Sequence, residues 1–136
     1  MVGLSLTLHF GFFSILAGFW RMSGVAADPV FRAPIRSASL SEFWGRRWNL
    51  AFSEMVQLAV NRPLAACAGR TTAAVACFLL SGLLHEAAIS LPVRAGYGLP
   101  TAYFALHGIL ILVERRLAAR GRRIDRIRVL GRIWTL

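Results

Sequence analysis

Residues 73–91 read AAVACFLLSGLLHEAAISL, with one acidic residue, no Asp, Lys or Arg, and Pro92 immediately after. At about 1.5 Å per residue, a helix of this length approaches the ~30 Å hydrocarbon thickness of a bilayer. The stretch is therefore predicted to span a membrane. It carries a His85-Glu86 pair, and two neighbouring ionisable side chains facing lipid would cost several kcal/mol. Protein, an aqueous channel or substrate is expected to cover them.

Two further windows flank this span. Residues 2–20 are free of charge, and residues 97–113 form a shorter apolar stretch up to Glu114. A signal peptide would need a basic segment before residues 2–20, but the first Arg, Arg21, follows them. Three transmembrane helices are expected, at about 2–20, 73–91 and 97–113. The 92–98 connection holds only Arg94, whereas 21–72 and 114–136 hold the other basic residues. Positive loops stay on the cytoplasmic side, which predicts the large loop and the tail inside and the N-terminus outside.

Composition agrees with this reading. Of 136 residues, 57% are hydrophobic and the mean hydropathy is +0.58, above the range of ordinary soluble domains. The net charge of +10 comes from Arg alone. Juxtamembrane topology accounts for it, so nucleic acid is not an expected partner, and the basic tail 114–136 is expected to attract anionic headgroups. Arg-only usage fits a high-GC genome and suggests a bacterial plasma membrane. Cys67 and Cys77 have neither redox nor metal spacing and are read as structural.

The 21–72 segment has internal order. Ser39 and Glu42 have the spacing of a capping box. From Leu40 onward, Phe43, Trp44, Trp48, Phe52, Met55 and Val56 recur at three- and four-residue steps, opposite Glu42, Arg46, Asn49, Ser53 and Gln57. This predicts an amphipathic interfacial helix over about 40–61, ended by Asn61-Arg62-Pro63. The chain as a whole is expected to be a single all-α integral membrane domain, with three transmembrane helices plus this helix.

All three histidines, His9, His85 and His107, fall in the predicted spans. His9 and His107 read as polar packing contacts. His85 has Ser81 one turn before it, Glu86 beside it and Gly82 leaving room for close approach. A neutral imidazole can take a proton from a hydroxyl, worth roughly 10²–10⁴-fold in rate. There is no serine-nucleophile elbow, no metal-ligand cluster and no phosphate-cradling loop. A His base in a membrane without an evident protein nucleophile suits direct attack of a lipid alcohol on an activated acyl group; the other expectation is that His85 and Glu86 merely pair with neighbouring groups.

Phe31-Arg32-Ala33-Pro34, then SLSEFWGRRWN over 39–49, then SGLLHE over 81–86, resembles the wax-synthase branch of the membrane-bound O-acyltransferases. The resemblance implies fatty-acyl transfer from acyl-CoA, as co-substrate, to a long-chain alcohol, with no other cofactor. By residue, it makes His85 the base and Asn49 its partner, orienting reactants or donating to the oxyanion. Trp44, Arg46, Arg47, Trp48 and Glu86 become substrate-binding, with the Arg side chains near coenzyme A phosphates. Members of that branch have many more spans. The resemblance therefore implies a C-terminal-half fragment, completed by a homo-oligomer or a complementing membrane segment. The competing expectation is a non-catalytic truncated membrane protein whose basic loop and tail bind anionic lipid or a partner.

Overall fold

The computed structural model describes residues 11, 13–24 and 29–121. Residues 2–10 and 12 of the first expected span, His9 with them, and 122–136 of the tail lie outside these. The described residues form helices joined by short connections, without strands. We label them α1 (Phe13–Met22), α2 (Leu40–Glu42), α3 (the helical run Leu50–Val93) and α4 (Leu99–Ala119).

Among the described residues one helix, α3, is long and apolar enough to cross a membrane, and it contains the predicted 73–91 span. Three transmembrane helices are thus not all recovered. Helix α4 covers residues 99–113 of the predicted third span, with Tyr97 and Gly98 in the turn before it, and runs on through Glu114, Arg115 and Arg116 to Ala119. Glu114, the first residue of the expected basic tail, therefore belongs to this helix, where it is buried.

The expected helix over 40–61 is broken. The capping box forms at its start: the Glu42 N–H donates to Ser39 Oγ at 3.0 Å, while the Glu42 carboxylate takes the Ala38 N–H at 2.9 Å. A π-helical turn, Phe43–Arg47, follows α2. Trp48 is then extended and Asn49 left-handed at φ 43°, and only afterwards does α3 begin. Asn tolerates this backbone better than most residues. The irregular chain around Val30 and Arg32 braces the break: Arg32 N–H donates to Arg47 O and Leu50 N–H to Val30 O, both at 2.9 Å. Side-chain periodicity carries no trace of these distant partners, so it ran on through the break.

Nor does the helix end at Pro63. A second π-helical turn, Gln57–Asn61, ends two residues before Pro63, so the missing proline N–H falls beside a stretch where the regular hydrogen-bond ladder is already interrupted. The reversal comes instead at Gly69, at φ 84° and ψ 159°, a conformation open essentially to glycine. Asn61 and Cys77, equidistant in sequence from Gly69, meet at 3.6 Å (Asn61 Nδ2 to Cys77 Sγ). The two arms of α3 therefore fold back on each other.

The second arm of α3 also packs along α4. A Cβ on Gly82 would lie 2.9 Å from Thr101 Cα, and one on Gly108 would lie 3.2 Å from Phe78 Cβ. The room foreseen at Gly82 is thus taken by the α4 backbone. Trp44 drops into the groove between the helices, with ring centroids 5.9 Å from Phe78 and 5.5 Å from Phe104. Large apolar side chains such as Leu58, Leu83, Ile89, Leu106 and Ile109 face outward.

Candidate active site

His85 is half-buried near the end of the regular α-helical part of α3, before the π-helical turn Glu86–Ser90. Its Nδ1 lies 2.7 Å from the carbonyl oxygen of Ser81. A carbonyl only accepts, so Nδ1 carries the hydrogen in this bond and a neutral ring offers Nε2 as the free acceptor. The Phe104 ring lies against the imidazole at 4.4 Å between centroids, limiting its rotation. Ser81 contributes through its backbone, since its hydroxyl donates back to Cys77 O.

Glu86 serves a different element. Its carboxylate accepts the Gly98 N–H at 2.8 Å and the Thr101 hydroxyl at 3.0 Å. Gly98 is the N-cap of α4, so Glu86 satisfies orphan donors at the positive end of that helix. It does not line a cavity with His85. Its effect on the histidine is indirect: it holds the helix that carries Phe104.

Two cavities meet at His85. One, of about 300 Å³, lies between the first arm of α3, the π-helical turn after α2 and the second arm, and its wall includes Asn49, Gln57 and Arg115. The other, of about 440 Å³, opens toward Gly96, Leu99 and Tyr103. Trp44, Trp48, His85 and Phe104 line both. A group at His85 can therefore meet molecules entering from two directions.

The tryptophan-rich stretch divides its labour. Trp44, Trp48 and Asn49 reach the cavity wall, and Arg46 and Arg47 do not. Trp48 stacks on Phe43 at 5.3 Å and meets Phe31 edge-on at 5.1 Å. Trp44 Nε1 is buried without an acceptor among the described residues. Asn49 is the N-cap of α3, not part of a helical polar face: its Oδ1 accepts the Phe52 N–H at 3.4 Å. No bond to a described residue occupies its Nδ2, so the amide keeps donors for a ligand.

Arg47 is committed to the fold. Its Nε and Nη2 meet Glu42 Oε1 at 2.7 and 2.6 Å, and Nη1 donates to Arg32 O at 3.1 Å. Burial pushes the Glu42 carboxyl up, but the Ala38 N–H and the Arg47 and Arg46 charges outweigh it and leave it below the ordinary carboxylate value. Arg46 is exposed beside this pair. His107 stays off the cavity walls, with Nδ1 2.9 Å from Tyr103 O and its ring edge-on to Trp44 at 5.6 Å.

Sequence reasoning missed Phe104, Thr101, Glu114 and Arg115. Glu114 accepts the N–H groups of Leu40 and Ser41, at 2.8 and 3.3 Å, tying α4 to the start of α2. The local signal for Arg115 was its spacing from Phe104, Gly108 and Ile111, which puts all four on one stripe of α4.

Residues 27–106 match the family model described as membrane bound O-acyl transferase family. The chain is 34% identical over 100 residues to a long-chain-alcohol O-fatty-acyltransferase of Simmondsia chinensis, covering 67% of this chain and 28% of the relative. It is 32% identical over 110 residues to the probable long-chain-alcohol O-fatty-acyltransferase 6 of Arabidopsis thaliana, covering 76% and 32%. It is also 35% identical over 72 residues to an acyl-CoA–sterol O-acyltransferase of Arabidopsis thaliana, covering 48% and 21%. The chain spans about a third or less of the length of these relatives. No solved structure matches it.

Proposed function

The chain belongs to the membrane bound O-acyl transferase family, and from that premise we propose that it carries the reaction centre of a long-chain-alcohol O-fatty-acyltransferase. The observation that carries the proposal is the setting of His85: Nδ1 is held by Ser81 O, which leaves Nε2 free, and the ring stands where two cavities meet.

In this reading the acyl donor is a fatty acyl-CoA and the acceptor a long-chain alcohol, the substrate class in the relatives' names. His85 Nε2 takes the hydroxyl proton as the alcohol oxygen bonds to the thioester carbonyl carbon. The carbonyl oxygen becomes an oxyanion, and Asn49 Nδ2 donates to it. Collapse restores the carbonyl, breaks the carbon–sulfur bond and expels the coenzyme A thiolate, which recovers the proton from His85. Trp44 and Trp48 wall the junction and exclude water from the thioester. Arg46, Arg47 and Glu86 act on the architecture around the site.

The first expected span, the 97–113 span and the N-out topology remain part of this proposal. A second copy of the chain or a complementing membrane segment covers the outward apolar faces and closes the cavities. The chain resides in a membrane, as its family does. The relatives named above are plant proteins, so the bacterial plasma membrane rests on Arg usage alone. The non-catalytic alternative is not favoured by the family match.

The test is ester formation by the chain in lipid nanodiscs, supplied with palmitoyl-CoA and either hexadecanol or a sterol. Wax ester from wild type, reduced roughly 10²–10⁴-fold in His85→Ala with membrane insertion unchanged, supports the reading. A His85→Ala protein as active as wild type overturns it.

A further inference from the structure

Resting on the acyltransferase reading, we infer that Arg115 is the cation that receives the phosphates of the acyl donor. The resemblance pointed to Arg46 and Arg47 for this role. The structure takes Arg47 into its contacts with Glu42 and the Arg32 carbonyl, and neither arginine lines a cavity. Arg115 does, and among the described residues it is the one arginine on either cavity wall. It is exposed and makes no hydrogen bond or ion pair to a described residue. Glu54 lines the same cavity without pairing with it.

The geometry of α4 sets the distance. Phe104 lies against the His85 ring, and Phe104, Gly108, Ile111 and Arg115 follow one another along one stripe of the helix. The eleven residue steps from Phe104 to Arg115 rise roughly 16 Å. An extended pantetheine arm between thioester and pyrophosphate has a comparable reach. A thioester at His85 thus puts the pyrophosphate at the guanidinium, whose forked donors suit phosphate oxygens. Arg115 also lies on the Arg-rich side assigned to the cytoplasm, from which a water-soluble nucleotide would enter.

Equilibrium binding separates this from other roles of the residue. The protein, in zwitterionic nanodiscs, is titrated with two non-transferable thioethers, S-hexadecyl-coenzyme A and S-hexadecyl-N-acetylcysteamine, which differ in the phosphate-bearing part. The lipid is the same in both arms, so headgroup phosphate cancels. Arg115→Gln is expected to weaken the coenzyme A thioether about tenfold, the scale of one charge-assisted contact at an exposed site, and to leave the phosphate-free thioether unchanged. Arg115→Lys retains part of the affinity, and Arg46→Gln leaves both probes unaffected. Undiminished coenzyme A thioether binding by Arg115→Gln overturns the assignment, as does equal loss of both probes or an equal effect of Arg46→Gln. Wild type that binds neither probe removes the acyltransferase reading itself. Wild type that binds both, with Arg115→Gln unaffected, removes only the role of Arg115.

Discussion

Glu114 accepts the backbone N–H of Leu40 at 2.8 Å, across a sequence separation of 74 residues. With the Ser41 N–H as its second donor, this carboxylate seats the start of α2 on α4 and so sets the depth at which Trp44 enters between the helices. The aromatic stretch reaches the site because a residue at the far end of the described chain holds it there.

Glu114→Ala leaves two N–H groups without their acceptor in a buried setting. The expected loss is about 1–3 kcal/mol of stability. Faster tryptic cleavage at Arg46 and Arg47, next to α2, should accompany it. Limited proteolysis in detergent with thermal unfolding measures both, and an unchanged cleavage pattern would sink the idea that Glu114 seats this stretch.

Asn49 combines a left-handed backbone, a helix cap and free amide donors, and two substitutions separate them. Asn49→Asp keeps an oxygen for the Phe52 N–H but removes the donors, so the fold should survive while kcat falls roughly 10²–10³-fold. Asn49→Ala loses the cap as well, at about 0.5–2 kcal/mol. Turnover and thermal melts on the pair distinguish donor from cap, and full activity in Asn49→Asp contradicts the oxyanion role.

Gly82→Ala would place a methyl 2.9 Å from Thr101 Cα. Backbone cannot yield as a side-chain tip does, so the second arm of α3 and α4 must separate, costing about 1–3 kcal/mol. The Phe104–His85 contact lies one turn along and should loosen with it. A melting temperature equal to wild type would argue against this close approach.

Thr101→Val keeps the shape of the side chain and removes its hydroxyl donor to Glu86. The start of α4 should fray, seen as faster amide exchange of residues 98–103, while membrane insertion is unchanged. Exchange indistinguishable from wild type would mean that Glu86 does not anchor this helix end.

The Glu42–Arg47 pair makes stability depend on acidity. The Glu42 carboxyl titrates below its ordinary value in the folded chain, so its contribution is complete above that value. It declines as pH falls through the depressed folded value. Acid unfolding monitored by tryptophan fluorescence should therefore begin at higher pH in Arg47→Gln than in wild type. Coincident acid transitions would count against the pair.

Features set by near neighbours were legible in the residue order. The hydropathy of 73–91 anticipated the long apolar helix, and the spacing of Ser39 and Glu42 anticipated the cap, because both depend on contacts within a turn or two. His85 stood out for the same reason, as a charge-capable group in an apolar run. The resemblance carried by 39–49 and 81–86 suggested a chemistry for it, and the family match agrees with the resemblance. Tertiary structure decided the rest. The fold-back at Gly69, the break at Asn49, the capture of Leu40 by Glu114 and the separation of Arg115 from Arg46 and Arg47 all depend on partners distant in the chain. Helical periodicity records which side chains share a face, but not which distant backbone will supply a missing acceptor, and that physical limit kept these four features out of the sequence reading.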